Sequence, residues 1–314
     1  MTMSCVNIIN IIERKIPQYI GRILLFIFFC SGIFLYGCAG KSGENGRVIV
    51  SDADRASHLL EGGQVKVTFF DVGKGDAILV ETSGHSMLID SGYDDTSGIL
   101  LSYMEEQSIS GLDYLVLTHF DKDHVGGADR MIENVQVKEV LQPDYQSDSE
   151  QYQEYVEAAK VGKISPVLVT ETMKLSFDGV DFLIIPPAQK NYEEENDFSL
   201  VVSMVCGEKS FLFAGDCEKE RLDELIGQDK FALPHDVLKT PHHGRKEKNS
   251  EEFLQAVRPS IAVITNSEEK IGDSKVCQIL GEMKTEVYFT GNGPVTCLCD
   301  GEELQIIQKN YDMK

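Results

Sequence analysis

The chain of 314 residues is 42% hydrophobic and 25% charged, the balance of an ordinary globular protein, and it is long enough to bury a full core. Its formal net charge of −22 is the unusual quantity. A surface that negative repels polyanions at long range and argues against tight, sequence-independent binding of nucleic acid, although a local site where cations supply positive charge stays open.

Near the start, Arg14, Lys15 and Arg22 precede an apolar run over residues 23–36. That run is shorter than the roughly 20 residues of a membrane-spanning helix and suits the core of a signal peptide. Leu35-Tyr36-Gly37-Cys38 then resembles a bacterial lipobox, with Gly before the cysteine and Leu three before it, and with Tyr36 departing from the usual small or branched residue. The resemblance implies an extracytoplasmic lipoprotein held at the cell membrane by lipidated Cys38. The alternative is an uncleaved N-terminal anchor, and both place the domain outside the cytoplasm. Residues 1–37 are the expected signal peptide, residues 38–63, rich in Gly, Ser and charge, the tether, and residues 64–314 a single folded domain.

Residues 64–70 alternate as a strand and deliver the turn Asp71-Val72-Gly73-Lys74-Gly75-Asp76. Strands over 77–81 and 86–90 follow, joined at Ser83-Gly84, so Asp71, Asp76 and Asp90 stand at strand ends. An amphipathic helix is predicted over 97–107. The short apolar run 112–117, bounded by Gly111, reads as a buried strand. It leads into Thr118-His119-Phe120-Asp121-Lys122-Asp123-His124-Val125-Gly126-Gly127, the stretch densest in chemistry, where His119, Asp121, Asp123 and His124 can all bind a metal. A helical pattern resumes at Ala128, so these side chains project from a strand-to-helix turn, and the two glycines let the backbone pass close to whatever they hold. Imidazoles with carboxylates suit divalent cations such as zinc, manganese or iron.

Beyond it, residues 144–154 read as a mobile acidic stretch and 151–161 as a helix. Residues 172–177 and 180–185 pair as a hairpin around Asp178-Gly179. A strand over 198–206 comes next. Residues 211–214 lead to Asp216, and a helix over 219–226 has acids near its start, as the helix dipole prefers. Val237-Leu238-Lys239-Thr240 ends in Pro241-His242-His243-Gly244, so three strand ends converge on one cation site. His58, His85 and His235 stand in no strand-end motif and are expected at the surface. Cys206, Cys217, Cys277, Cys297 and Cys299 show no paired CxxC spacing and are expected as buried thiols; in a strand, Cys297 and Cys299 would share a face.

The stretches Phe70-Asp71-Val72-Gly73-Lys74-Gly75-Asp76-Ala77, Leu88-Ile89-Asp90-Ser91-Gly92, residues 119–127, Asn196-Asp197-Phe198-Ser199-Leu200-Val201, Ala214-Gly215-Asp216 and Pro241-His242-His243-Gly244 resemble, in order, the motifs of the metallo-β-lactamase superfamily. The resemblance covers roughly residues 64–309 and is strongest to the metallohydrolase domain at the C-terminus of ComEC-type competence proteins. It implies an α/β fold, a four-layer αββα sandwich with the metal site at its edge. It also implies two divalent metal ions, zinc or manganese, sharing a water and a bridging aspartate. His119 and Asp121 would bind one cation, Asp123 and His124 the other, Asp216 would bridge, and one of His242 and His243 would complete the second site. Asp123 could also orient the water, and whichever of His242 and His243 is not a ligand would protonate the leaving group. Asp71 or Asp76 would hydrogen-bond a ligand imidazole and fix its tautomer, with Asp90 at the neighbouring strand end.

Three departures from the superfamily pattern matter. Asp121 stands where many members have histidine, in agreement with the ComEC-like branch. No histidine occurs between His124 and His235, so the separate histidine that completes the first site is missing. Asn196, Asp197 or Ser199 stands in that region, which makes the first site oxygen-rich and weak and tilts it from zinc towards manganese. After residues 261–264, Gly272-Asp273-Ser274 replaces a Gly-His-Pro turn. The expected activity is hydrolysis of phosphodiesters, with a DNA nuclease as the concrete version and a small phosphodiester, cyclic nucleotide or lipid-linked phosphate beside it; no stable nucleic-acid complex is expected. Lactone or β-lactam opening by the same water is one alternative, and a non-catalytic binding lipoprotein of the same fold is another.

Overall fold

The computed structural model describes residues 64–229, 231–267 and 272–308. The expected signal peptide and tether, with Cys38 and His58, lie outside them.

Along the chain, β1 (Val65–Phe69), β2 (Ala77–Glu81), β3 (Ser86–Ser91), β4 (Gly111–Val116), β5 (Gln136–Pro143) and β6 (Val167–Val169) form one sheet. A second sheet holds β7 (Met173–Phe177), β8 (Val180–Ile185), β9 (Val201–Cys206), β10 (Lys209–Phe213), β11 (Val237–Lys239), β12 (Ile261–Ile264) and β13 (Glu286–Phe289), in sequence order. The last two strands, β14 (Val295–Cys299) and β15 (Leu304–Gln308), return to the first sheet, where β14 pairs with β1. β3 to β6 run parallel, as do β10 to β13.

Side-chain alternation along these strands builds the layers. Val65, Val67 and Phe69 of β1, Ile78 and Val80 of β2, and Met87 and Ile89 of β3 enter a central core together with Val202 and Met204 of β9 and Phe211 and Phe213 of β10. Cys297 and Cys299 join the same core and so share a face, as their spacing predicts. The opposite faces are apolar too. Leu79 and Leu88 meet Leu100 and Met104 of α1 (Ser97–Glu106), Met131 of α3 (Ala128–Asn134) and Tyr155 of α4 (Glu150–Val161). On the second sheet, Leu212, Leu238 and Ala262 meet Leu222 of α5 (Lys219–Gly227), Phe253 of α6 (Ser250–Val257) and Leu280 of α7 (Ser274–Glu282). Three apolar interfaces between two sheets and two helical layers make the four-layer αββα sandwich. Strands buried on both faces read as continuous apolar runs, which is why these were recognisable. Among the described residues no helix is long and apolar enough to cross a membrane.

Some expectations change. The acidic stretch after β5 is pinned: the Tyr145 hydroxyl accepts the Phe120 amide at 2.8 Å, its ring stacks on Phe198, and the Ser149 hydroxyl accepts the Tyr152 amide to cap α4. β9 starts at Val201, because residues Glu195–Phe198 form a short helical turn instead. His235 is buried, facing the Ser203 hydroxyl at 2.7 Å and the Leu233 carbonyl at 2.9 Å, whereas His85 is exposed as expected.

Candidate metal centre

The turns after β1, β3, β4, β10, β11 and β12 meet at one edge of the sandwich, and long-range hydrogen bonds lock them together. At the end of β3, Asp90 is fully buried and adopts φ 55°, a left-handed conformation uncommon for a residue with a side chain. Its carboxylate accepts the Thr118 amide and the Thr118 hydroxyl, each at 2.7 Å, and faces Nδ1 of His124 at 2.8 Å. Since the Thr118 hydroxyl gives its proton to Asp90, it accepts from Nδ1–H of His119, 3.1 Å away. The same arrangement recurs across the cluster: the Thr265 hydroxyl donates to Asp76 at 2.7 Å and therefore accepts from Nδ1–H of His243 at 2.9 Å. All three imidazoles thus have Nδ1–H engaged outward, which leaves Nε2 as the nitrogen facing the cluster.

Those nitrogens converge on one carboxylate. His124 Nε2 lies 3.3 Å from His243 Nε2, and the Asp216 carboxylate is 3.2 Å from the first and 3.0 Å from the second. An oxygen of Asp123 is 3.5 Å from His243 Nε2. His119 packs its ring 4.1 Å from that of His124, and its buried Nε2 has no hydrogen-bond partner. Asp121, the residue before α2 (Lys122–Val125), is the open member, with an oxygen 3.9 Å from His119 Nε2. Two sets of atoms, one from His119, His124 and Asp216 and one from Asp123, His124 and His243, each lie within 4.8 Å of one another.

Electrostatics favour a cation here. Burial, helped by His124, pushes His119 well below its ordinary range, so it stays neutral and able to donate its lone pair. Burial opposes the charge on Asp216, yet His124, His243 and Lys239 outweigh it and hold the carboxyl well below its usual range. Asp123 is likewise held down against burial by His243, His124 and Lys74. Burial disfavours charge on His124 too, but Asp216, Asp90 and Asp76 push that imidazole well above its ordinary range. The field at this point draws positive charge, a proton or a metal cation alike. Buried carboxylates, converging imidazole nitrogens and an orphaned His119 Nε2 fit a divalent cation of the zinc, manganese or iron type.

His242 and His243 sit in consecutive left-handed conformations, φ 46° and 52°. This turn splays their rings 6.1 Å apart at 72°. His243 enters the cluster. His242 lies at its rim, with Nδ1 3.1 Å from Glu218 and Nε2 3.8 Å from Asp216, and burial pushes it down to about 4.

The structure places the remaining expected residues around this core. Asp71 accepts the Gly73 amide within its own turn at 3.3 Å. Asp76 reaches His243 through Thr265, so the direct hold on a ligand imidazole expected of Asp71 or Asp76 belongs, at His124, to Asp90. The Ser199 hydroxyl donates to the Asn196 carbonyl at 2.7 Å and accepts the Asp216 amide at 3.2 Å. Asn196 donates its side-chain amide to Glu218 at 3.0 Å, and Asp197 accepts the Glu218 and Arg221 amides at the start of α5. The segment where the histidine is missing therefore braces Asp216 and α5.

Two lysines escaped the sequence reading. Lys239 is fully buried; its ammonium donates to the Gly215 carbonyl at 2.7 Å and to Asp216 at 3.2 Å, and it pairs with Asp76. A lysine closing the apolar strand β11 just before the paired histidines was the available signal, because a buried ammonium requires acidic partners. Lys74 reaches Asp123 at 3.0 Å.

Residues 70–265 match the family model described as the metallo-beta-lactamase superfamily. ComE operon protein 3 of Bacillus subtilis (strain 168) is 26% identical over 322 residues, covering 94% of this chain and 38% of that protein. Competence protein ComA of Neisseria gonorrhoeae is 30% identical over 207 residues, covering 65% of this chain and 27% of that one. The chain thus spans well under half the length of these curated relatives. The crystal structure of the metallo-beta-lactamase fold protein YhfI from Bacillus subtilis aligns at 14% identity with a TM-score of 0.48, over 73% of this chain and 96% of that chain. With a family model covering most of the chain, two sheets flanked by helices, and histidines and aspartates gathered at one edge, the chain belongs to the metallo-β-lactamase superfamily and has relatives of the ComEC type.

Proposed function

We propose that the protein is a metal-dependent hydrolase of phosphodiesters, anchored outside the cytoplasm through Cys38. The observation that carries this reading is the convergence of the buried Nε2 atoms of His119, His124 and His243 on the Asp216 carboxylate. Bound there, divalent cations supply Lewis-acid polarisation of a phosphoryl oxygen and an acidified water. Asp123, His124 and His243 would hold one cation and His119 with Asp121 the other, with Asp216 shared. The half-exposed Asp121 and the engagement of Asn196, Asp197 and Ser199 elsewhere support a weaker first site. Asp90, Thr118, Thr265 and Asp76 keep the imidazoles in the ligating tautomer. Lys239 holds Asp216 in place, and Asp123 would orient the attacking water. His242 stands at the rim, its Nδ1 3.1 Å from Glu218, and, held neutral by burial, it would steady the leaving oxygen by a hydrogen bond from its ring N–H.

Phosphodiester chemistry is favoured over carboxyl chemistry by the likeness to competence proteins, and the net charge of −22 favours a small substrate over a long polyanion. Location outside the cytoplasm rests on the apolar run before Cys38. The test is a substrate panel on the purified full-length chain with added manganese or zinc. Turnover of bis(4-nitrophenyl) phosphate without turnover of a chromogenic β-lactam is expected. The reverse preference moves the reading to carboxyl chemistry, and bound metal with neither turnover moves it to a binding protein.

A further inference from the structure

We infer that Lys74 is the residue that receives the anionic oxygen of the substrate's phosphoryl group, an inference that rests on the phosphodiester reading above. Among the described residues, the lysine and arginine ion pairs to Asp76, Asp123 and Asp216 come from Lys239 and Lys74. They differ in what they can reach. Lys239 is sealed in, with 0% of its side chain exposed, and is spent on Gly215, Asp76 and Asp216. The Lys74 side chain is 30% exposed, against 9% for its partner Asp123, so its ammonium bridges the buried cluster and the solvent from which substrate arrives.

Its position is built rather than incidental. The loop carrying it is pressed onto the metal turn: the Asp76 amide donates to the Asp123 carbonyl at 3.0 Å, and the Gly92 amide donates to the Asp76 carbonyl at 2.7 Å. The neighbouring position must be glycine, since a Cβ on Gly75 would come within 2.6 Å of the Asp123 carbonyl oxygen. A lysine ammonium carries three N–H donors; Asp123 takes one at 3.0 Å, and partial exposure leaves another able to reach an anion. On a chain of net charge −22, a phosphodiester reaching this edge also needs a local cation to offset long-range repulsion. A lysine acts as a point charge and needs no bidentate geometry, so it accepts a phosphoryl oxygen without dictating what is esterified to it.

The test compares the wild type with Lys74→Gln and Lys74→Arg, all loaded with manganese. KM and kcat are measured for bis(4-nitrophenyl) phosphate, affinity for inorganic phosphate by calorimetry, and bound manganese by elemental analysis. Lys74→Gln is expected to raise KM and weaken phosphate binding by about tenfold or more, as the loss of a charge-assisted hydrogen bond implies, with bound manganese undiminished. Lys74→Arg is expected to restore most of both. Unchanged KM and phosphate affinity in Lys74→Gln, or a loss that merely tracks lost manganese, would overturn the assignment and leave Lys74 as a counter-charge for Asp123. If the wild type hydrolyses no phosphodiester, the functional reading fails by itself, and the phosphate calorimetry still decides the role of Lys74.

Discussion

Asp216→Asn is expected to lower phosphodiester turnover on the order of 10³-fold or more while the protein stays folded. Changing a group that merely orients a metal ligand typically costs about 10–100-fold in affinity or activity. Asp216 stands closer to the chemistry than that: its oxygens lie 3.2 Å from His124 Nε2, 3.0 Å from His243 Nε2 and 3.2 Å from the Lys239 ammonium. Asparagine keeps the volume, and the Ser199 hydroxyl still accepts the backbone amide at position 216, so the turn after β10 keeps its brace. The charge is lost, and with it the anion common to both cation positions. Steady-state kcat/KM read beside far-ultraviolet circular dichroism checks this, and a folded variant within tenfold of wild type would show that Asp216 is not shared between cations.

Lys239→Met is expected to destabilise the metal-free protein by about 3–5 kcal/mol, the usual cost of leaving a buried charge without its partner. Methionine preserves most of the stem that packs at the end of β11. What it removes is the positive charge between Asp76 and Asp216, two carboxyl-bearing residues only 1% and 2% exposed, together with the donor to the Gly215 carbonyl. The sign of the metal dependence follows by linkage. Without the ammonium the site is more negative, so cations bind the folded variant more tightly and return part of the lost stability. Urea unfolding in chelator and in saturating manganese should therefore show a large deficit that shrinks with metal. Equal stability of variant and wild type in chelator would mean that the buried lysine compensates nothing.

Much of the framework was legible locally. The apolar run before Thr118 and the helical pattern from Ala128 correspond to β4 and α3, whereas α2, which carries Asp123 and His124, falls inside the stretch that reads as a turn before the glycine pair. Asp178 and Gly179, with φ 53° and 81°, form the tight hairpin turn that an Asp-Gly pair announces. The contacts that orient the site were not legible, because the chain brings them from far away. Thr265 and Asp76, which orient His243, are 189 positions apart, and no short-range pattern ties a threonine at the end of β12 to an acid after β1. Asp90 offers the same carboxylate as Asp71 and Asp76, and only its left-handed backbone and its place beside Thr118 turn it towards His124. Two adjacent imidazoles are equivalent on paper; the geometry of the turn separates His243 in the cluster from His242 at the rim. His235 looked exposed because the strand residue that covers it, Ser203, comes 32 positions earlier.

Elemental analysis of the gently purified full-length chain bears most directly on the centre itself. About one to two divalent ions per chain is the expected result, the tighter one depending on Asp123, His124 and His243 and lost when His124 is replaced by alanine. A folded chain that retains no metal, and takes up neither zinc nor manganese when they are supplied, would contradict it.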